Sequence, residues 1–353
     1  MLFETPFSDE LVLIAERSFV IYSSRWKDDV LTMDVEPRYS HEESFSMLLK
    51  DLEDTDYVPY YRRWKDGYRL IISKKKEIKK GISPMMHLIL LIATIFTMSL
   101  AGYIWWANRD IFLSVVFALS LMGILGLHEL GHALTARKHG IQATLPYFIP
   151  VPPPFPFGTF GAVISINSPV TNRKSLLEVG VAGPIAGFIV ALPIVIVGLK
   201  LSTVAPLDKT QYSGILFSMP LILQALAYVV IGEIPPDSII IPHPLAIAGW
   251  AGLFVTSLNL LPMGQLDGGH IVRGLFPMHY KKIYYGVALV LLFLGMFWPG
   301  YIVWVFMAVF LTKMEHPGPL DDVSELETRH KIYALAALIV LILSFMPVPI
   351  ASQ

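Results

Sequence analysis

The sequence predicts an all-α polytopic membrane protein of about seven transmembrane helices, with a proline-rich re-entrant loop, a β-strand beside it and a small N-terminal α+β domain. Three observations carry that prediction. Hydrophobic residues fill 54% of the 353 positions and charged residues only 16%, where a soluble domain is closer to a quarter charged. The apolar residues gather into runs long enough to cross a bilayer, which takes roughly 20 residues each, and mean hydropathy is +0.58. Lys and Arg fall at alternate ends of those runs.

Composition also excludes. A net charge of −1 without a polybasic tail gives no ground for nucleic acid as a partner. The absence of cysteine removes disulfides, thiolate metal sites and cysteine nucleophiles together. Glu4, Asp9 and Glu10 occupy the start of the chain where a signal peptide would need a basic and then an apolar region, so none is expected.

Residues 1–80 read as the α+β domain. Leu31–Val35 alternates like a strand, and Ser40 followed by Glu43 is a capping-box pattern opening a helix to about Asp54. Tyr57–Trp64 and Tyr68–Ser73 flank Lys65-Asp66-Gly67 as a hairpin would. Tyr60, Tyr61, Trp64 and Tyr68 read as core and edge residues rather than a ligand platform. Lys74, Lys75, Lys76, Lys79 and Lys80 then precede the first apolar run.

Residues 81–353 form the transmembrane part, with spans expected at 85–106, 111–136, 175–199, 243–262, 281–298, 299–313 and 331–348. Arg137, Lys138, Arg173, Lys174, Arg273, Lys281, Lys282, Lys313, Arg329 and Lys331 mark the same side as the N-terminal lysines. Only Arg109, Lys200 and Lys209 mark the other. The N-terminus is therefore expected in the cytosol, with the protein a multi-pass component of the cell membrane. A further apolar stretch, 213–232, would place Arg273, Lys281 and Lys282 outside if it crossed, so it reads as re-entrant or as lying at the outer surface.

Between the second and third spans, six prolines in residues 145–158 forbid a helix in a stretch too apolar for an ordinary loop. Thr159–Ile166 then reads as a strand containing a permissive Gly161. Non-helical backbone at membrane depth survives only against protein or water. A re-entrant loop with an edge strand is expected, and a polyproline II linker or docking ligand is the alternative. Gly183 and Gly187 have a Gly-x-x-x-Gly spacing that points to close helix packing.

The chemistry concentrates in His128-Glu129-Leu130-Gly131-His132. On a helix, positions i and i+4 share a face, so His128 and His132 can present two imidazoles to one metal ion. Glu129 is placed to activate a water rather than to bind the metal. His128 precedes Arg137 by nine residues, which puts it about 13 Å along the helix from the cytosolic edge. An ionisable cluster at that depth is by default functional.

Asp267, at the cytosolic end of the otherwise apolar fourth-span helix, is an acidic residue in need of a partner. Spans two and four run in the same direction in this topology, so His128, His132 and Asp267 fall at the same end, as His/His/carboxylate ligands of one Zn²⁺ per chain. Pro262 and Gly268-Gly269 would break the helix and let Asp267 turn inward. His270 is either a further ligand or an interfacial polar residue. Asn259 either hydrogen-bonds substrate or makes a bundle contact. His243-Pro244 reads as a cap.

Together, His128-Glu129-Leu-Gly-His132 and Asn259-Leu-Leu-Pro262 followed by Leu266-Asp267-Gly268 resemble the site-2 protease family of intramembrane zinc metalloproteases. The branch found in plastids, cyanobacteria and archaea is the more similar. It is matched by Pro146-Tyr-Phe-Ile-Pro150, Gly158-Thr-Phe-Gly161-Ala162, Ala182-Gly183-Pro184, and His243-Pro244-Leu245 with Ala248-Gly249-Trp250. The resemblance spans about residues 120–280, within a catalytic core of about 111–275. It implies zinc on His128, His132 and Asp267, Glu129 as catalytic base, and hydrolysis of peptide bonds in or beside transmembrane segments of a substrate in the lipid bilayer. Asn259, Phe160, Gly161 and Ala162 are the candidate substrate contacts. A zinc-dependent transporter or sensor, or a silent membrane-client binder, would use the same ligands; neither needs a general base at Glu129.

Overall fold

The computed structural model describes residues 6–75, 83–206, 216–312 and 316–351. Lys76, Lys79, Lys80, Lys209, Lys313 and the start of the 213–232 stretch lie outside the described residues.

The N-terminal region is built from α1 (Pro6–Glu16), β1 (Phe19–Lys27), β2 (Val30–Pro37), α2 (His41–Asp51), β3 (Tyr57–Trp64) and β4 (Gly67–Lys74). Its four strands form an antiparallel sheet in the order β1-β2-β4-β3. The Ser40 side chain caps α2 by accepting from the Glu43 N–H. In β2, alternate residues Leu31, Met33 and Val35 are buried with Leu70 and Ile72 of β4 against Phe45 and Leu48 of α2. β1 is an edge strand mostly exposed along its length, so its sequence carries no buried-face alternation to predict it. Tyr61 is fully buried and hydrogen-bonded to His41 at 2.9 Å, and Trp64 lies under the Arg69 guanidinium at 4.0 Å. Burial raises the Tyr61 phenol above its ordinary pKa.

The remaining elements are α3 (Pro84–Ala101, continued by a π-helical turn Gly102–Trp106), α4 (Ile111–Lys138), β5 (Tyr147–Pro150), β6 (Thr159–Val163), α5 (Arg173–Leu201), β7 (Thr203–Pro206), β8 (Leu216–Phe217), α6 (Leu221–Val230), β9 (Ser238–Ile241), α7 (Pro244–Asn259), α8 (Asp267–Leu275), α9 (Tyr280–Leu294), α10 (Gly300–Thr312), α11 (Thr328–Ser344) and β10 (Ile350–Ala351). Side-chain caps start several helices: Ser83 for α3, Asp110 for α4, an Asn172–Ser175 capping box for α5, and His243 before Pro244 for α7.

Among the described residues, three helices are long and apolar enough to cross a membrane: Pro84–Trp106, Ile111–Lys138 and Arg173–Leu201. The other expected spans fall on shorter helices: α7 with 16 residues, α9 with 15, α10 with 13 and α11 with 17. At 10 residues α6 is too short to cross. The apolar face of α7 packs on α4 and α5, and almost every residue from Ala246 to Leu258 is buried. It serves as the centre of the bundle rather than as a lipid-facing span.

The proline-rich stretch forms a hairpin. β5 pairs antiparallel with β6, with Tyr147 opposite Val163 and Phe148 opposite Ala162, and an Ala143–Ile166 bridge extends it. Prolines supply carbonyls but no N–H, so the tip needs outside donors. Trp106 Nε1 donates to Pro156 O at 2.6 Å, and Thr97 Oγ1 to Gly158 O at 2.7 Å.

A segment after α10 joins the two halves. Tyr61 N–H donates to Leu320 O and the Asp322 N–H to Tyr61 O, while Leu320 N–H and Asp321 N–H donate to Val170 O and Thr171 O. Leu320 and Val323 complete the core of the N-terminal sheet. Arg273 of α8 grips Asp322 through two bonds of 2.8 and 2.5 Å, with both side chains largely buried. Replacing Asp322 with Ala would strand a buried guanidinium, and about 3–5 kcal/mol of stability should be lost. Thermal unfolding of the purified protein checks this, and an unchanged midpoint would show that the pair adds nothing.

Candidate metal centre

His128 and His132 lie one turn apart on α4, facing α5, and are 3% and 6% exposed. Asp267 opens α8, after the chain leaves α7 at Asn259 and doubles back through Leu260–Leu266. That reversal depends on Gly268, where an added Cβ would come within 1.9 Å of Leu260 O. The structure thus places Asp267 on a separate short helix, rather than on the broken end of the fourth span.

The three side chains converge. His128 Nε2 is 3.0 Å from Asp267 Oδ2, His132 Nε2 is 3.1 Å from Asp267 Oδ1, and the two imidazole nitrogens are 3.2 Å apart. His132 Nδ1 donates to Val179 O at 2.7 Å, which turns the Nε2 lone pair toward the other two groups. A tetrahedral zinc with bonds of about 2.0 Å needs ligand atoms about 3.3 Å apart, so the trio fits that ion. A carboxylate buried between imidazoles in an apolar bundle also calls for a cation.

Glu129 is half-buried, and its carboxylate, with the two histidine nitrogens, forms a group within 4.8 Å. The Ile164 backbone, just past β6, faces it. α5 forms the opposite wall. A Cβ at Gly183 would meet His132 Nε2 at 2.0 Å, and one at Gly187 would meet His128 Nδ1 at 3.1 Å. The Gly-x-x-x-Gly spacing had suggested only helix packing, whereas these glycines make room for both imidazoles.

The chain matches the model of Peptidase family M50 over residues 116–297. It belongs to Peptidase family M50. The match takes in His128, Glu129, His132, Asn259 and Asp267 and leaves out the N-terminal sheet, α3, α10 and α11. With its long apolar helices, this family member is an integral membrane protein. It is 34% identical over 235 residues to the probable zinc metalloprotease EGY1, chloroplastic, of Arabidopsis thaliana, covering 65% of this chain and 42% of that protein. Rice (Oryza sativa subsp. japonica) EGY1 is 30% identical over 237 residues (65% and 40%), and Arabidopsis EGY2 32% over 236 (65% and 41%). The chain thus spans about two-fifths of the length of these curated relatives. No solved structure matches it.

The structure also places the remaining candidate residues. Asn259 Nδ2 is 3.4 Å from His128 Nε2, beside the trio. His270 pairs instead with His316, its Nδ1 2.6 Å from His316 Nε2. Phe160 is 55% exposed on β6, and Ala162 opposes Phe148. Gly161, at φ +103°, donates its N–H to Thr159 Oγ1 at 3.0 Å, so that amide is used within the hairpin.

Proposed function

We propose that this chain is an intramembrane zinc metalloprotease that hydrolyses peptide bonds in or next to transmembrane segments of membrane-protein substrates. The carrying observation is the convergence of His128, His132 and Asp267 from two helices, with Glu129 beside them. His128, His132 and Asp267 hold one zinc ion. Bound zinc lowers the pKa of a water and polarises a carbonyl. Glu129 takes the proton of the attacking water and passes it to the leaving amine, and the Asn259 amide donates to the developing oxyanion. About seven crossings, a cytosolic N-terminus, a domain at 1–80 and a membrane unit at 81–353 complete this reading. The segregation of Lys and Arg and the separate core of the N-terminal sheet support it.

Metal content tests the ligand set. Purified His128→Ala and Asp267→Ala proteins should carry at least about tenfold less zinc than the wild type. Full occupancy in either would remove that residue from the set.

A helix in lipid hides its carbonyls in its own hydrogen bonds, so a substrate has to unwind before cleavage. β6 runs past Glu129, and the substrate lies along it in extended form. The chain contains no cysteine, so single-cysteine variants report cleanly. Phe160→Cys should cross-link to a cysteine near the scissile bond of a model substrate far more strongly than Ile189→Cys, a residue 60% exposed on α5. Equal yields would defeat the placement along β6.

A further inference from the structure

A cavity of about 370 Å³ lies where the N-terminal sheet meets the membrane part, away from the trio. Arg62, Arg63, Arg173 and Asp322 line it together with the apolar Leu275, Phe276 and Met278. The local charge is unbalanced. The Asp322 carboxylate is taken by Arg273, and Asp321 accepts from the Val323 and Ser324 amides and the Ser324 hydroxyl. Four guanidinium groups, Arg62, Arg63, Arg173 and Arg273, therefore stand against two carboxylates, Asp321 and Asp322, which attract Arg62 and Arg173 but place their hydrogen bonds elsewhere. Arg173 has its N–H groups on Gly274 O, Leu275 O and Ser324 O, and Arg62 Nη1 is on Tyr61 O and Leu320 O. These bonds to neutral carbonyls fix the two side chains, and the two carboxylates offset only part of the positive charge gathered here. Arg63 is exposed beside them.

Gathering like charges costs energy unless an anion shares the site, and guanidinium groups match phosphoryl oxygens in geometry. The cavity lies at the bilayer boundary, because Arg173 is the first residue of the 29-residue apolar α5. Its apolar wall stays exposed, Phe276 by 50% and Met278 by 69%. An arginine cluster facing an apolar lip at that level suits a phosphate carried by an amphiphile, and the volume is within the usual range for small-ligand pockets. We propose that this cavity binds a net-anionic phosphoryl group, supplied by a membrane lipid headgroup or by a soluble phosphate. The wall formed by Leu275 is the far end of α8, whose first residue is Asp267.

The test uses the full-length chain, purified in detergent and stripped of lipid. It is titrated with phosphatidylglycerol, phosphatidylcholine or inorganic phosphate, and bound molecules are counted by native mass spectrometry. Wild type should retain phosphatidylglycerol about tenfold better than phosphatidylcholine, as charge-assisted hydrogen bonds would give. Arg63→Glu should abolish that preference, whereas Lys65→Glu, an equal charge change at the tip of the β3–β4 turn, should keep it. Unchanged thermal midpoints in both variants show that the fold is intact. Displacement of phosphatidylglycerol by millimolar phosphate assigns the site to a soluble phosphate, and no displacement assigns it to the lipid headgroup. Equal retention of the two lipids, or equal behaviour of the two variants, overturns the proposal.

Discussion

Glu129→Gln should slow hydrolysis of a transmembrane peptide by about 10²–10⁴-fold, the usual contribution of a general base, while zinc content stays at the wild-type level. Glutamine preserves the size of the side chain and a carbonyl acceptor toward the Ile164 backbone, but it cannot take a proton. The metal should remain because the converging trio is formed by His128, His132 and Asp267 without Glu129. Turnover of a purified model substrate, measured beside metal analysis of the same samples, separates the two effects. Wild-type turnover in the variant would assign the proton to another group and defeat the mechanism. Zinc-loaded wild type that cleaves nothing would favour transport or sensing.

Gly183→Ala should have an effect nearly as large by a different route, with loss of zinc and activity together. The new methyl carbon would come to 2.0 Å from His132 Nε2 and within 2.5 Å of two ring carbons, much closer than atoms can pack. The imidazole cannot swing clear without breaking its 2.7 Å bond to Val179 O and leaving the triangle with His128 and Asp267. Gly123→Ala on α4 is the matching control, because an added Cβ there meets nothing within 4 Å. A helical Gly→Ala change is otherwise favourable by about 1 kcal/mol. Zinc content at the wild-type level in Gly183→Ala, with Gly123→Ala also normal, would show that the α5 wall yields and does not hold His132.

Local patterns were legible where the cause was local. Two histidines four residues apart share a helix face whatever surrounds them, so His128 and His132 could be paired from spacing alone. Ser40 with Glu43, and the hairpin around Lys65-Asp66-Gly67, were readable because capping and turn chemistry act over a few residues. Asp267 could be assigned to the same end of the bundle by charge counting, but not to the start of its own helix. β1 was missed because an edge strand with few buried positions leaves no alternation to read. Among the described residues three helices are long enough to cross by themselves, and hydropathy does not distinguish a shorter helix facing lipid from one buried like α7.

Sequence alone therefore determined the two imidazoles, the carboxylate of Glu129 between them and the apolar setting that makes them costly, since each follows from composition or from neighbours along one helix. Folding decided the rest of the site. His128 and Asp267 meet across 139 residues, Gly183 and Gly187 turn out to be the wall that admits the imidazoles, and the segment around Leu320–Asp322 ties the N-terminal sheet to α5 and α8. These contacts join residues far apart in the chain. No periodicity or spacing records them, because they depend on which faces the packed helices bring together.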